Sequence, residues 1–177
     1  YDAGNADAKF YETDFDDSTF VHALENKYSE WKLIKQETSQ LYIYEMEPEK
    51  IEAIPRGVRI YLPTEAVGML TLKANGKRGD VLVLRYGEEL LDDGSVRFDM
   101  RCNCRYEEKM ILSGGDDILM QYDYKAFRYA EVLYPDGVTL SDIKMRVRHY
   151  PFKEGCEYTT DNEKLASVIA LCKNTIK

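Results

Sequence analysis

Several things are scarce in this 177-residue sequence, and each scarcity closes off a class of function. There are two histidines, His22 and His149, and no Gly-x-Ser-x-Gly elbow, so no Ser/His/Asp hydrolase set can be assembled. Basic residues are outnumbered, 24 Lys and Arg against 32 Asp and Glu. The net charge of −8 and pI of about 4.9 exclude the basic footprint that nucleic acid requires. No apolar run reaches the length of a membrane span. Gly76 and Gly79 belong to no phosphate loop, because the run lacks Gly-Lys-Ser/Thr and does not open a helix.

Cysteine is sparse too. Cys102, Cys104, Cys156 and Cys172 lack Cys-x-x-Cys spacing and nearby histidines, which argues against zinc. If 102–104 is a strand, Cys102 and Cys104 point the same way and a disulfide between them would be strained. Free buried thiols are the expectation, and they favour a reducing, cytoplasmic setting over a periplasmic or secreted one.

What is abundant is tyrosine, fourteen in all, four of them in the central stretch 121–135. From Phe127 that stretch alternates, with Phe127, Tyr129, Glu131 and Leu133 on one side and Arg128, Ala130, Val132 and Tyr134 on the other. A period of two in aromatic and β-branched residues marks a strand, and Pro135-Asp136-Gly137 closes it with turn chemistry. Phe127 and Tyr129 are therefore expected in the core.

Similar short strands are expected at 41–46, 58–62 (ended by Pro63), 66–74, 80–89, 106–112, 118–124 and 143–150. A polar link runs through Pro48 and Pro55, and turns fall at 75–79, 92–94 and 113–116. About eight strands without an intervening helix predict an all-β fold, an antiparallel β-sandwich or jelly roll. It occupies 41–150, after an irregular acidic lead-in at 1–40 that reads as the tail of a preceding domain. In 151–177 a linker leads to a short C-terminal helix. Thr160 and Glu163 form a capping box, and Leu165, Ile169, Cys172 and Ile176 share one helical face. That apolar face still runs at Ile176, with no stop signal before Lys177, the expectation for a fragment of a longer chain.

The charged motifs are weak as chemistry. Glu88/Glu89 and Glu107/Glu108 are strand neighbours that point to opposite faces, so neither doublet is a glycosidase acid–base pair. Asp92-Asp93-Gly94 does not continue into a calcium loop of the helix-loop-helix type, since the third and twelfth positions are Gly94 and Asn103. An irregular calcium site in a sandwich stays open; otherwise no cofactor is expected. His149 continues an apolar strand face and reads as a structural histidine.

Beyond this, the chain resembles the bacterial α-L-rhamnosidases from about Tyr42 onward. The resemblance is carried by Leu62–Leu70 (LPTEAVGML), by Gly79–Leu90 (GDVLVLRYGEEL) followed by Asp93-Gly94, and by Tyr124, Ala126, Phe127, Arg128, Tyr129, Glu131 and Val132 in the central stretch. Ala126 stands where the family pattern has Gly, and Asp123 and Lys125 are more charged than usual. The resemblance implies a β-sandwich placed before an (α/α)6 barrel that supplies the carboxylates of an inverting hydrolysis. The barrel's acidic motifs have no counterpart here, so the chain is expected to be inactive alone and to support a C-terminal catalytic domain, its expected partner. The rival is a carbohydrate-binding module for rhamnose or a related sugar in a glycan. Arg128, Glu131, Trp31, Tyr122 and Tyr134 are the candidate interdomain or sugar contacts.

Overall fold

A computed structural model describes residues 1–5, 10–25, 32–153, 155 and 157–176. A short 3-10 turn, Ala3–Asn5, precedes eight strands: β1 Tyr42–Met46, β2 Lys50–Ile54, β3 Gly57–Asn75, β4 Val81–Gly87, β5 Glu107–Ile111, β6 Asp116–Ile118, β7 Lys125–Leu133 and β8 Thr139–His149. One helix, α1 Glu163–Ile176, follows. The strands form an antiparallel sheet in the order β1-β8-β3-β7-β4-β5, with β2 and β6 also paired to β3. The all-β sandwich expected from the strand pattern is what forms.

β3 is the spine. Its first half is flanked by β2 and β7, its second by β8 and β6. Even-numbered residues along β3 (Ile60, Leu62, Leu70, Leu72 and Ala74) all face inward. They join Leu82, Leu84 and Tyr86 of β4, Phe127, Ala130 and Val132 of β7, and Met145 and Val147 of β8 in one buried cluster. Because β4 and β8 lie on opposite sides of β3, one shared cluster requires the sheet to curl over itself. Alternation in each strand sequence supplies exactly one apolar face for that purpose.

Gly68 sits where β3 passes from β7 to β8, paired with Lys125 on one side and Val147 on the other. A Cβ here would lie 2.3 Å from the Arg146 carbonyl oxygen, so only glycine admits the close backbone approach.

Several expectations need correction. Pro63 does not end a strand, because β3 runs through it. Residues 62–65 form an irregularity in the β3–β7 ladder, where Tyr61 pairs with Tyr129 and Ala66 with Phe127. Pro63 falls where neither neighbour pairs, so its missing N–H costs no ladder bond. The same slip reverses the side-chain phase of β7: five residues of β3 span two of β7, an odd difference. Phe127 faces the core, but Ala130 and Val132 face it too, and Tyr129 with Glu131 turns to the other side. Tyr129 is half-buried against Tyr61, ring centroids 5.7 Å apart and nearly perpendicular.

The link between Pro48 and Pro55 contains β2, joined to β3 by a two-residue turn at Pro55-Arg56 with Arg56 left-handed (φ 63°). Of the expected 118–124 strand only Ile118 is in a strand, the short β6 that begins at Asp116, inside the expected turn. Cys102 and Cys104 lie in a loop and are exposed, not buried in a strand. Asn162, rather than Thr160, caps α1: its Oδ1 accepts from Leu165 N at 3.2 Å, and Thr160 Oγ1 accepts from Asn162 N. Trp31 and Cys156 lie outside the described residues.

Candidate functional site

The richest array of charged groups is on the outer face of β2, β3, β7, β4 and β5. Ladder register places Glu52 opposite Arg59, Arg59 opposite Glu131, Glu131 opposite Arg85, and Arg85 opposite Glu107. Directly opposed residues share a face, so five strands carry one row of alternating sign. Arg59 donates to Glu131 Oε1 through Nε (2.9 Å) and Nη2 (2.8 Å). Arg85 Nε donates to Glu107 Oε2 at 2.8 Å, and Arg105 closes on Glu107 Oε1 at 2.6 Å. At the other end Lys50 and the Tyr61 hydroxyl donate to Glu52 at 2.8 and 2.7 Å.

The 88–106 loop covers part of this row. Val96 is buried, and its backbone N–H reaches Glu131 Oε1 at 3.3 Å. Phe98 lies beneath Arg85, 4.2 Å from its guanidinium carbon. Burial opposes the Arg59 charge, but hydrogen bonds to Tyr61 and Glu131 outweigh it and raise its pKa. Hydrogen bonding to Arg85, aided by Arg105, holds the Glu107 carboxyl below its ordinary range, while Lys50 and then Tyr61 do the same for Glu52.

A second polar knot lies at the start of β7. Lys125 is buried and its Nζ donates to Glu108 Oε1 at 2.5 Å and Asp123 Oδ2 at 3.2 Å. Gln121 bonds Glu108 and donates to the Tyr86 hydroxyl at 2.9 Å. Burial, then the Glu108 charge, pushes the Tyr86 phenol well up. These carboxylates are therefore committed to ion pairs and hydrogen bonds. Glu65 differs: burial, then the neighbouring Glu88 charge, raises its pKa, with Arg128 opposing. Glu65 and Glu88 are both exposed and enclose no cleft for a sugar between acid and base.

The candidate contact residues do not converge. Arg128 is exposed, 5.5 Å over the Tyr129 ring. Glu131 is 3 % exposed and fully engaged, so it offers no contact surface, which corrects its reading as a ligand or interdomain group. Tyr122 is 70 % exposed, its ring 6.4 Å from that of Phe10. Tyr134 is half-buried against the core. Tyr122 and Tyr134 flank opposite ends of β7, on the order of 25–30 Å apart along an extended strand, too far to face one sugar ring. His149 is half-buried beside Tyr42 and Tyr44, its Nδ1 2.8 Å from the Tyr150 carbonyl that fixes it as a donor. Asp93 Oδ1 accepts from the Ser95 N–H and hydroxyl within its own turn. Among the described residues, no three His, Cys, Asp or Glu side chains are grouped to hold a metal ion.

The charge row escaped the sequence reading because it depends on strand order. Alternation of Leu82, Leu84 and Tyr86 does turn Arg85 outward, but nothing in the sequence sets Arg59 and Arg85 on either side of Glu131.

α1 contributes a different surface. None of its residues is buried, and Leu165, Val168, Leu171 and Ile176 are 41 to 65 % exposed. It touches the sheet through Asn174 Nδ2, which donates to Thr64 Oγ1 at 3.0 Å inside the β3 irregularity. No helix is long and apolar enough to cross a membrane among the described residues.

Comparison with known proteins fits this architecture. Residues 60–149 match the bacterial alpha-L-rhamnosidase concanavalin-like domain. Among solved structures, an alpha-L-rhamnosidase from Dictyoglumus thermophilum is similar over 95 % of this chain and 20 % of its own (24 % identity, TM-score 0.76). The Streptomyces avermitilis alpha-L-rhamnosidase, solved with L-rhamnose, is similar over 98 % of this chain and 18 % of its own (23 % identity, TM-score 0.78). One from Aspergillus terreus is similar over 95 % and 20 % (16 % identity, TM-score 0.75). This chain thus spans about a fifth of each of these proteins. No curated protein matches it.

Proposed function

Because this chain belongs to the bacterial alpha-L-rhamnosidase family, through its concanavalin-like domain, we propose that it is the non-catalytic β-sandwich of a rhamnoside-hydrolysing enzyme and that it seats and orients a catalytic domain. The observation that carries this reading is α1. A helix with a continuous apolar stripe that buries nothing against its own sheet requires another surface to cover it. The (α/α)6 barrel implied by the family resemblance is that surface. Arg128 is exposed on β7, within the electrostatic reach of Glu65, one residue from the Thr64 that holds α1. Its planar fork suits a carboxylate or carbonyl on the docked domain.

The test is hydrolysis of an aryl α-L-rhamnoside by this chain alone and by this chain joined to such a catalytic domain. Turnover only by the joined protein supports the reading. Turnover by the chain alone overturns the accessory role. Turnover by neither overturns the rhamnoside assignment, and a panel of other glycosides then identifies the substrate.

One observation favours a second reading, in which the domain binds a rhamnose-like sugar. The exposed Tyr122 ring flanks a cleft of about 420 Å³ whose lining includes Glu108, Gln121 and Asp123, an aromatic face beside hydroxyl-bonding groups. Free L-rhamnose at millimolar concentration should then shift the backbone NMR signals of these residues. Unmoved signals refute it.

A further inference from the structure

One feature serves neither the core nor the docking surface: the Cys102-Asn103-Cys104 tip of the 88–106 loop. It is a built turn. Asp99 and Arg105 form an antiparallel bridge, Met100 N donates to Cys104 O at 2.8 Å, and Asn103 N donates to Met100 O at 3.0 Å. Asn103 between the two cysteines is left-handed, φ 62°, a conformation that asparagine tolerates better than most residues. In an extended strand, residues two apart have Cα atoms about 6.6 Å distant, at the outer edge of disulfide geometry. The left-handed residue between them breaks that extended geometry. The strain expected for a strand does not apply to this loop.

The thiols meet. Both are exposed and free, and Cys104 hydrogen-bonds to Cys102, which holds the Cys104 thiol above its ordinary pKa. Two guanidinium groups flank them in sequence. Arg101 is ion-paired to Glu89 at 3.3 Å and Arg105 to Glu107 at 2.6 Å, which ties one side of the tip to the start of the same loop and the other to β5. Both sulfurs stand in solvent where a small disulfide can reach them, while the neighbouring guanidiniums are held by carboxylates.

We infer that Cys102 and Cys104 form a redox-active dithiol, a site of reversible modification that closes to an intramolecular disulfide on exchange with a small-molecule disulfide. In the first step one cysteine thiolate attacks a sulfur of the small disulfide RS–SR. The S–S bond breaks, and RS⁻ leaves and takes up the proton the protein thiol released. In the second step the other cysteine, deprotonated, attacks the protein sulfur of the mixed disulfide and expels the second RS⁻. The two protein sulfurs are oxidised and the two sulfurs of RS–SR are reduced to thiols. The second step is intramolecular, so it outruns attack by external thiol.

Trypsin isolates the site, since Arg101 and Arg105 bound the fragment 102–105. Reduced protein is exposed to glutathione disulfide at fixed pH, quenched with an alkylating agent and digested. The expected product at 102–105 is a fragment short of two hydrogens, carrying about tenfold less bound glutathione than the peptide of Cys172, an exposed thiol on α1 that can form only the mixed disulfide. C102S should trap glutathione on Cys104 at the Cys172 level. If glutathione accumulates at 102–105 in the unsubstituted protein as it does at Cys172, or if 102–105 stays reduced while Cys172 reacts, the inference is overturned.

Discussion

Replacing Glu131 by leucine tests whether the charge row is structural. The substitution keeps side-chain volume, so no large cavity confounds it. It removes the acceptor of two Arg59 donors at 2.9 and 2.8 Å and of the Val96 N–H at 3.3 Å. The Arg59 side chain is 14 % exposed and would keep only Glu52, 3.7 Å away, and its hydrogen bond to Tyr61. Removing one partner of a buried pair costs about 3–5 kcal/mol, and the residual exposure of Arg59 places E131L at about 3 kcal/mol. R59M strands the Glu131 carboxylate and should cost about the same. The double variant R59M/E131L removes both charges of the pair and loses the weak Val96 bond and the peripheral Arg59 contacts to Glu52 and Tyr61, so about 2 kcal/mol is expected rather than the sum of about 6.

Thermal unfolding followed by circular dichroism reads each single change as a loss of about 6–12 °C in Tm, and urea titration gives the free energies. The penalty should persist in high salt, because a buried pair is poorly screened. An E131L cost below about 1 kcal/mol, or a double variant equal to the sum of the singles, would refute the reasoning.

Gly68→Ala sets a Cβ 2.3 Å from the Arg146 carbonyl oxygen; overpacking at this crossover should cost about 3 kcal/mol, read by the same melt, and a change within 1 kcal/mol would show that β3 and β8 separate easily. Glu107 has a folded pKa below its ordinary 4.5, so its contribution to stability is present above that value and is lost as pH falls through the lowered pKa. E107Q should therefore flatten the decline of Tm between about pH 6 and about pH 3, and an unchanged slope would mean that Arg85 and Arg105 do not hold it. In a protein that joins this chain to its catalytic domain, L165S/L171S should lower Tm by several degrees yet leave the isolated sandwich, where both side chains are exposed, unchanged; equal effects in both would place the contact within the sandwich. R128A in the joined protein should lower its Tm, and unchanged Tm with unchanged activity would remove Arg128 from the interface.

Most of the fold was legible because period-two alternation is a local signal. Leu82, Leu84 and Tyr86, or Met145 and Val147, declare their buried face without knowledge of their neighbours. What failed was non-local. Tyr129 left the core because a four-residue irregularity in β3, some sixty residues earlier, reverses the phase of β7. Pro63 was read as a stop because its unpaired position shows only in the assembled sheet. Glu131 was read as a contact residue because the Val96 loop that covers it gives no sign in its own sequence. Conversely, Phe127 sat in the one segment of β7 whose phase the alternation read correctly.

The pairing of β1 with β8 has a consequence for synthesis. Tyr42 faces His149 and Met46 faces Met145, so β1 leaves the ribosome about a hundred residues before its partner. At bacterial elongation rates that is on the order of 5–20 s, during which Tyr42, Ile43 and Tyr44 stand as an unpaired, aromatic edge. Glu45 and Glu47, which in the finished sheet hold Lys144, place negative charge beside that edge in the nascent chain, and charge is what keeps a waiting strand from pairing with a neighbour on the same message.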